Sequence, residues 1–172
     1  MENQFLRDFV GVVRQRFADD TERMPMSDWI CANTRHPKSK PSNPNPFSFA
    51  GYEFQRKIAD DMHPDLCCTK VSQVGLTEIQ VRKFLAILKR HTALTGIFTL
   101  PTDEMFQRTS KTRVGPLVNT ETIFNQLQPT KPIRSMGLYQ IDQSFGYFTG
   151  NKEGDATSIP ADFLFHDELD LS

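Results

Sequence analysis

The chain has 172 residues, of which 38% are hydrophobic and 24% charged, and its formal net charge is -1. This is the length of one domain that can bury a core, and the composition is ordinary for a globular protein. We expect no membrane span, since no apolar run approaches about 18 residues, and no signal peptide, since the N-terminus lacks an apolar h-region. The near-zero net charge argues against a strongly electrostatic DNA-binding domain, although a local basic patch stays open.

The first 46 residues are expected to be a helical extension followed by a linker. Apolar residues recur at helical spacing from Asn3 to Glu22, which predicts an amphipathic helix that docks on the core or on a partner. A second short helix is predicted to start at Ser27, with the serine as its N-cap. The stretch from Pro37 to Pro46 is rich in proline, serine and asparagine and indicates an extended loop.

An aromatic turn leads into the next predicted helix, within Phe47 to Asp60. Tyr52 and Gln55 are its informative residues. A glutamine amide can pair with the N6/N7 edge of adenine, and an aromatic ring can stack on the base. A helix start with packed aromatic side chains is the alternative that needs no ligand.

The stretch from Leu66 to Glu78 organises the rest of the chain. A short apolar run that contains Cys67 and Cys68 predicts a buried strand, and the polar loop after it closes on Gly75. An amphipathic helix follows at once, because its apolar residues lie three and four positions apart. This order of strand, loop, glycine, hydroxyl and helix is typical of a phosphate-binding loop, in which backbone N–H groups bind anionic oxygens.

Compared with the motif G-x-x-x-x-G-K-[ST], this loop fits in part. Gly75 takes the second glycine and Thr77 the Mg²⁺-binding hydroxyl, whereas Lys70 stands at the first glycine and Leu76 at the lysine. The loop still offers one ammonium group, the hydroxyl of Thr77 and one glycine that permits close backbone approach. An ordinary strand–turn–helix with a glycine turn is the alternative.

Three cysteines, Cys31, Cys67 and Cys68, lack the spacing of metal ligands. We therefore predict that they are reduced core residues of a cytosolic protein.

Two further strands and a basic segment follow the central helix. Gly96 to Pro101 predicts a short buried strand stopped by proline, and Tyr147 to Gly150 predicts another. The segment from Thr102 to Val118 predicts either a helix that contacts a phosphate backbone or a solvated basic face. Its basic residues are Arg108, Lys111 and Arg113.

The stretch from Ala161 to Asp170 predicts an apolar strand, Phe163 to Phe165, that leads through His166 into Asp167 and Glu168. An ATPase needs an acidic strand end of this kind beside its phosphate-binding loop. The first carboxylate holds Mg²⁺, and the second orients and deprotonates the attacking water.

Four of these features together resemble the large terminase subunit of tailed bacteriophages, the lambda-like packaging ATPase family. They are an aromatic–Gln adenine motif, a phosphate loop with its lysine at the front, a Pro-Thr strand end followed by Ser-Lys-x-Arg, and Ser-x-Pro-Ala-Asp before an Asp-Glu strand. In this chain they are Tyr52–Gln55, Lys70–Thr77, Thr99–Thr102 with Ser110–Arg113, and Ser158–Asp162 with Asp167–Glu168. The resemblance runs from about Trp29 to the C-terminus.

The resemblance implies an α/β fold, a P-loop NTPase of the additional-strand (RecA/helicase-like) type. Helices would flank an incomplete parallel sheet, and residues 47–172 would form a partial ATPase domain. It implies an enzyme that uses ATP and Mg²⁺ to drive DNA into a preformed capsid, in the cytoplasm of the infected bacterial host. The implied partners are double-stranded DNA, the small terminase subunit, the portal protein and further copies of the chain in a ring, with no membrane.

The resemblance also implies a role for each site residue. Lys70 would contact the β- and γ-phosphates, Glu168 would activate water, and both would be catalytic. Thr77 and Asp167 would bind Mg²⁺, and adenine would be held by Tyr52 and Gln55. The nucleotide would contact the whole loop, which comprises Lys70, Val71, Ser72, Gln73, Val74, Gly75, Leu76 and Thr77.

The later strands and the nuclease domain of the family have no counterpart before Ser172, so we expect the first part of a motor ATPase. In that fold a late strand separates the phosphate-loop strand from the Asp-Glu strand. We expect its absence to misplace Asp167 and Glu168 relative to Thr77, and the chain to hydrolyse ATP poorly. Two alternatives are a fragment of another additional-strand ATPase such as a helicase, which Leu76 disfavours, and a non-catalytic nucleotide-binding or assembly module.

Overall fold

A computed structural model describes residues 24–36, 45–71, 73–124, 132–150 and 159–168 of the chain. It shows an α/β protein in which helices flank a five-stranded mixed sheet. The amphipathic helix predicted from Asn3 to Glu22, and most of the predicted loop from Pro37 to Pro46, lie outside the described residues. No helix in the described ranges is long and apolar enough to cross a membrane.

Five α-helices are described, and two of them contain or border the predicted ligand-binding residues. They are α1 (Met26–Asn33), α2 (Glu53–Asp60), α3 (Leu76–Arg90), α4 (Asp103–Thr109) and α5 (Gly115–Thr120). A π-helical turn, Ser110–Val114, joins α4 to α5, and a single 3₁₀ turn, Thr122–Phe124, follows α5. The central amphipathic helix and the helix within the basic segment are thereby confirmed.

The sheet has the order β2-β3-β4-β1-β5. Its strands are β1 (Thr95–Leu100), β2 (Arg134–Ser135), β3 (Leu138–Ile141), β4 (Ser144–Gly150) and β5 (Phe163–His166). The predicted strands at Gly96, Tyr147 and Phe163 are all present. β1 is central and pairs in parallel with both β4 and β5.

The expectation of a parallel sheet is wrong for half of the sheet. β3 pairs antiparallel with both β2 and β4. The connections explain this, since Met136–Gly137 and Asp142–Gln143 leave only two residues between successive strands, and parallel strands need a crossover of a dozen residues or more. Gly137 at φ 88° and Asp142 at φ 52° take the left-handed conformations that such tight turns demand.

One face of the sheet packs on α3 through aromatic side chains. Phe84 of α3 is fully buried and lies 5.0 to 5.7 Å, between ring centroids, from four rings of the sheet. Those rings belong to Phe98, Phe148, Phe163 and Phe165. Pairs at this spacing stabilise a core beyond their buried area, so α3 is held firmly over the strands that carry the site.

The N-cap predicted for the second helix is wrong. α1 begins one residue earlier, at Met26, after Pro25, which has no capping side chain. Ser27 is instead fully buried, where its hydroxyl and its backbone N–H both donate to the carboxylate of Asp60, at 2.8 and 2.7 Å. The carboxylate therefore caps α1 from α2, a tertiary version of the usual local cap.

The buried strand predicted at Leu66 is also wrong. Leu66 to Val71 runs without strand pairing among the described residues, and Leu66 and Cys67 are exposed. Cys31 and Cys68 are only half-buried, although all three cysteines are free thiols. An apolar run favours an extended backbone but does not supply a neighbouring strand, and without one the run stays outside the sheet.

Candidate functional site

The site begins at the N-terminus of α3, where Gly75 takes a left-handed conformation with φ 74°. Glycine adopts this conformation without a steric penalty. A Cβ at this position would lie 3.0 Å from Nε2 of Gln55, so the space is limited as well. Gly75 is the N-cap of α3 and has no side chain, so no side chain accepts a hydrogen bond from the N–H groups of the first turn. N–H groups in this position can bind an anion.

Gln55 lies directly beneath this loop. Its side chain is 5% exposed, and its Nε2 donates to the carbonyl of Val74 at 2.5 Å. One of the two amide donors is therefore used by the loop backbone, which leaves the second donor and the carbonyl for another partner. Tyr52 is 49% exposed and has its ring centroid 6.3 Å from that of Phe54, so its face is open to solvent.

Lys70, Thr77 and Asp167 meet at one carboxylate. Oγ1 of Thr77 donates to Oδ2 of Asp167 at 2.5 Å, and Nζ of Lys70 donates to Oδ1 at 3.1 Å. The side chain of Asp167 is only 2% exposed. A buried carboxylate is costly unless it is paired and hydrogen-bonded, and here a cation and a hydroxyl provide that pairing.

Glu168 completes the group from the solvent side. Its Oε1 lies 3.6 Å from Nζ of Lys70, and its side chain is 30% exposed. Its backbone φ is 57°, a left-handed conformation that is uncommon for a residue with a side chain. Such strain clusters at functional sites, where the surrounding structure holds it in place.

The expectation that Asp167 would be misplaced relative to Thr77 is wrong, because the two side chains are hydrogen-bonded, and for Glu168 it stays a prediction. β5 lies beside β1, and the ladder continues past its end, because the N–H of Asp167 donates to the carbonyl of Thr99 at 3.1 Å. This bond fixes where the chain leaves the sheet. The carboxylate of Asp167 consequently reaches Thr77, 90 residues away in sequence.

The remaining loop residues contribute backbone more than side chains. Val71 is 73% exposed, and Gln73 has a left-handed φ of 63°. Leu76 is buried and packs inward, which explains why an apolar residue is tolerated at the usual lysine position. Ser72 lies outside the described residues.

Sequence reasoning missed an ion-pair network around Glu78, the residue after Thr77. Oε1 of Glu78 contacts NH1 of Arg82, and Oε2 lies 3.6 Å from Nε of Arg113. Arg82 is 1% exposed and stacks on the ring of Phe47, 4.3 Å from its centroid, and burial lowers the pKa of its guanidinium. The spacing of four residues between Glu78 and Arg82 was the available signal, since such residues are neighbours on a helix.

The donor set suits magnesium better than a metal held by protein alone. Among the described residues, no three His, Cys, Asp or Glu side chains are grouped so that they could hold a metal ion. Mg²⁺ commonly binds through one or two carboxylates together with substrate phosphates and water. Asp167 with the hydroxyl of Thr77 fits that pattern, because both oxygens already point at one another.

Comparison of the chain with protein-family models, with curated proteins and with solved structures found no match.

Proposed function

We propose that this chain is the ATP-binding and ATP-hydrolysing part of a phage DNA-packaging motor, a terminase large subunit. The observation that carries the proposal is the meeting of Lys70 and Thr77 on the buried carboxylate of Asp167. A lysine and a hydroxyl from a phosphate-type loop, joined to an acidic strand end, form the charge pattern that nucleotide hydrolysis requires. The motif resemblance supplies the link to packaging.

Each residue has a distinct role in the proposed reaction. Lys70 would contact the β- and γ-phosphates in place of Asp167, and Thr77 and Asp167 would hold Mg²⁺. When bound, the ion neutralises charge on the phosphates. Glu168, which is partly exposed, orients a water molecule and accepts its proton as the water oxygen bonds to the γ-phosphorus. The bond from that phosphorus to the β–γ bridging oxygen breaks, and ADP and inorganic phosphate are released. The first N–H groups of α3, which have no side-chain cap, donate hydrogen bonds to the phosphate oxygens.

The adenine end of the nucleotide would lie on the α2 side of the loop. Tyr52 offers an exposed ring for stacking, and Gln55 retains one amide donor and its carbonyl for the N6/N7 edge. Since Gln55 also holds the carbonyl of Val74, base recognition and loop conformation would be linked through one side chain.

The additional-strand type of P-loop fold is part of the proposal. The Asp-Glu strand β5 lies next to β1 in the sheet order, and the segment before the loop has no strand pairing among the described residues. Both features suit a fold in which another strand separates the loop segment from β5.

The test is magnesium-dependent ATP binding. Asp167→Asn removes one charge from the metal site, so the variant should lose most of the gain in ATP affinity that Mg²⁺ gives the parent. Asp65→Asn, at an exposed position before the loop, should keep that gain. Calorimetric titration of ATP with Mg²⁺ and with a chelator measures both, and an unchanged magnesium effect in Asp167→Asn would contradict the proposed metal site.

A further inference from the structure

The basic segment after β1 has a feature that the proposed reaction does not yet use. Its π-helical turn, Ser110–Val114, is fixed at both ends, since Ser110 is 1% exposed and Val114 fully buried. The hydroxyl of Ser110 also shares a 2.6 Å hydrogen bond with the hydroxyl of Tyr139. Single π-helical turns are frequent at functional sites, and this one presents Arg113 towards α3.

Arg113 is held by only one edge of its guanidinium. Its Nε lies 3.6 Å from Oε2 of Glu78, and its side chain is 37% exposed. Within the described parts of the chain, its two terminal nitrogens have no hydrogen-bond partner. An arginine fork with free donors is suited to binding a phosphate through two hydrogen bonds.

Glu78 does not fully neutralise Arg113, because its carboxylate is shared with Arg82. Glu121, whose charge also acts on Arg82, is itself paired with Arg35 at 3.6 Å. Arg82 is immobilised at the same carboxylate by three further contacts, with the hydroxyl of Thr34, the carbonyl of Arg35 and the ring of Phe47. Two arginines around one glutamate leave one net positive charge. That charge lies beside the first turn of α3, where the helix dipole also favours an anion.

From this arrangement we propose that Arg113 contacts the terminal phosphate of a nucleoside triphosphate bound at the α3 N-terminus of the same chain. The inference rests on the proposed function and adds a catalytic residue to it. Arg113 belongs to the element that continues from β1, the strand beside the Asp-Glu strand, whereas Gln55 approaches the loop from α2. Arg113 therefore serves the end of the nucleotide where the phosphate is cleaved, opposite the adenine end.

The experiment compares ATP with ADP. In the full 172-residue chain, Arg113→Gln should weaken ATP binding by about tenfold or more, the range for loss of a charge-assisted hydrogen bond. ADP binding should change by less than about twofold, since the contacted phosphate is missing. Lys111→Gln, an exposed position on the same turn, should leave both affinities unchanged, and Arg113→Lys should restore part of the ATP affinity.

Three results would overturn the inference, two of them specific to Arg113. One is an unchanged ATP affinity in Arg113→Gln while Lys70→Ala loses it, which contradicts the role of Arg113 and keeps the proposed function. The other is an equal loss for ATP and ADP together with a lower melting temperature without nucleotide, which assigns Arg113 a structural role only. If the parent chain binds neither nucleotide, the proposed function fails and this inference with it.

Discussion

Gly75 lies between Gln55 and the first turn of α3, and its conformation and its small size have separable effects. Its φ of 74° resembles that of Gly51, which is 80°. A Cβ added at Gly75 would lie 3.0 Å from Nε2 of Gln55, whereas a Cβ added at Gly51 would have no atom within 4 Å. The two glycines therefore form a matched pair that differs in contact but not in backbone strain.

We expect both Gly75→Ala and Gly51→Ala to lower the free energy of unfolding by about 1 kcal/mol, the cost of a left-handed alanine. Only Gly75→Ala should also weaken ATP binding, because its methyl group displaces the amide that holds the carbonyl of Val74. Urea unfolding and ATP titration measure the two effects. Equal ATP affinity in the two variants would contradict the link between Gln55 and the loop.

Glu168 is expected to act after ATP has bound. Glu168→Gln keeps the shape and the hydrogen bonding of the side chain but removes its basicity, so ATP should still bind while cleavage slows by about a hundredfold or more. Glu104→Gln, an exposed position at the start of α4, is the matched control. Single-turnover hydrolysis of ATP with protein in excess measures the rate. A rate in Glu168→Gln equal to that of the parent would contradict the assignment of Glu168 as the general base.

At the scale of elements, Lys83 joins α3 to the end of α2. Its side chain is buried, and its Nζ donates to the carbonyl of Ile58 at 3.1 Å and to that of Asp61. The last carbonyls of a helix lack partners within the helix, so a lysine ammonium there both bonds them and favours the negative end of the dipole. Burial nevertheless dominates and lowers the pKa of Lys83 from 10.5 to about 8.

That pKa gives a pH dependence with a defined sign. Between about pH 8 and 10.5 the unfolded chain keeps the proton on Lys83 while the folded chain loses it, so the free energy of unfolding rises with pH through this window. Lys83→Met should lack this rise. Because other groups titrate in the same range, the measurement is the difference between parent and variant in urea unfolding at pH 7.5, 9 and 10. If the difference in free energy of unfolding between parent and Lys83→Met were the same at all three pH values, the lowered pKa of Lys83 would be contradicted.

The elements that could be predicted were those whose own residues specify them. The apolar positions of α3 repeat at helical spacing, and β1 is an apolar run stopped by Pro101, so both were correct. The segment at Leu66 was wrongly predicted as a buried strand, since its residues favour an extended backbone but pairing depends on a neighbour distant in sequence. The antiparallel half of the sheet was missed because its two-residue turns lack the Asn-Gly signal of a hairpin.

In the candidate site too, the residues could be predicted from local sequence, but their arrangement depends on contacts across the whole molecule. Lys70, Thr77, Asp167 and Glu168 could be named from their local motifs. Their meeting could not be derived, because it depends on β5 pairing beside β1 and on the bond from Asp167 to Thr99. The free donors of Arg113 were likewise not predictable, since they follow from the packing of the π-helical turn on α3 at Glu78 and not from any local pattern.

We propose that four residues from distant parts of the chain form one nucleotide site, namely Lys70, Thr77, Asp167 and Glu168. Substitution of Lys70 is the most direct test. Lys70 is the ammonium group that bridges the loop to both acidic residues. Lys57 is an exposed lysine on α2, so its removal makes the same change in net charge away from the loop. Charge-assisted phosphate contacts of this kind are worth about 1.5–3 kcal/mol.

The measurement is calorimetric titration of Mg²⁺-ATP into the parent chain, Lys70→Ala and Lys57→Ala under identical conditions. We expect the parent and Lys57→Ala to bind ATP with the same affinity, and Lys70→Ala to bind it about tenfold or more weakly. Equal affinity in Lys70→Ala and Lys57→Ala, or no binding to the parent chain, would contradict it.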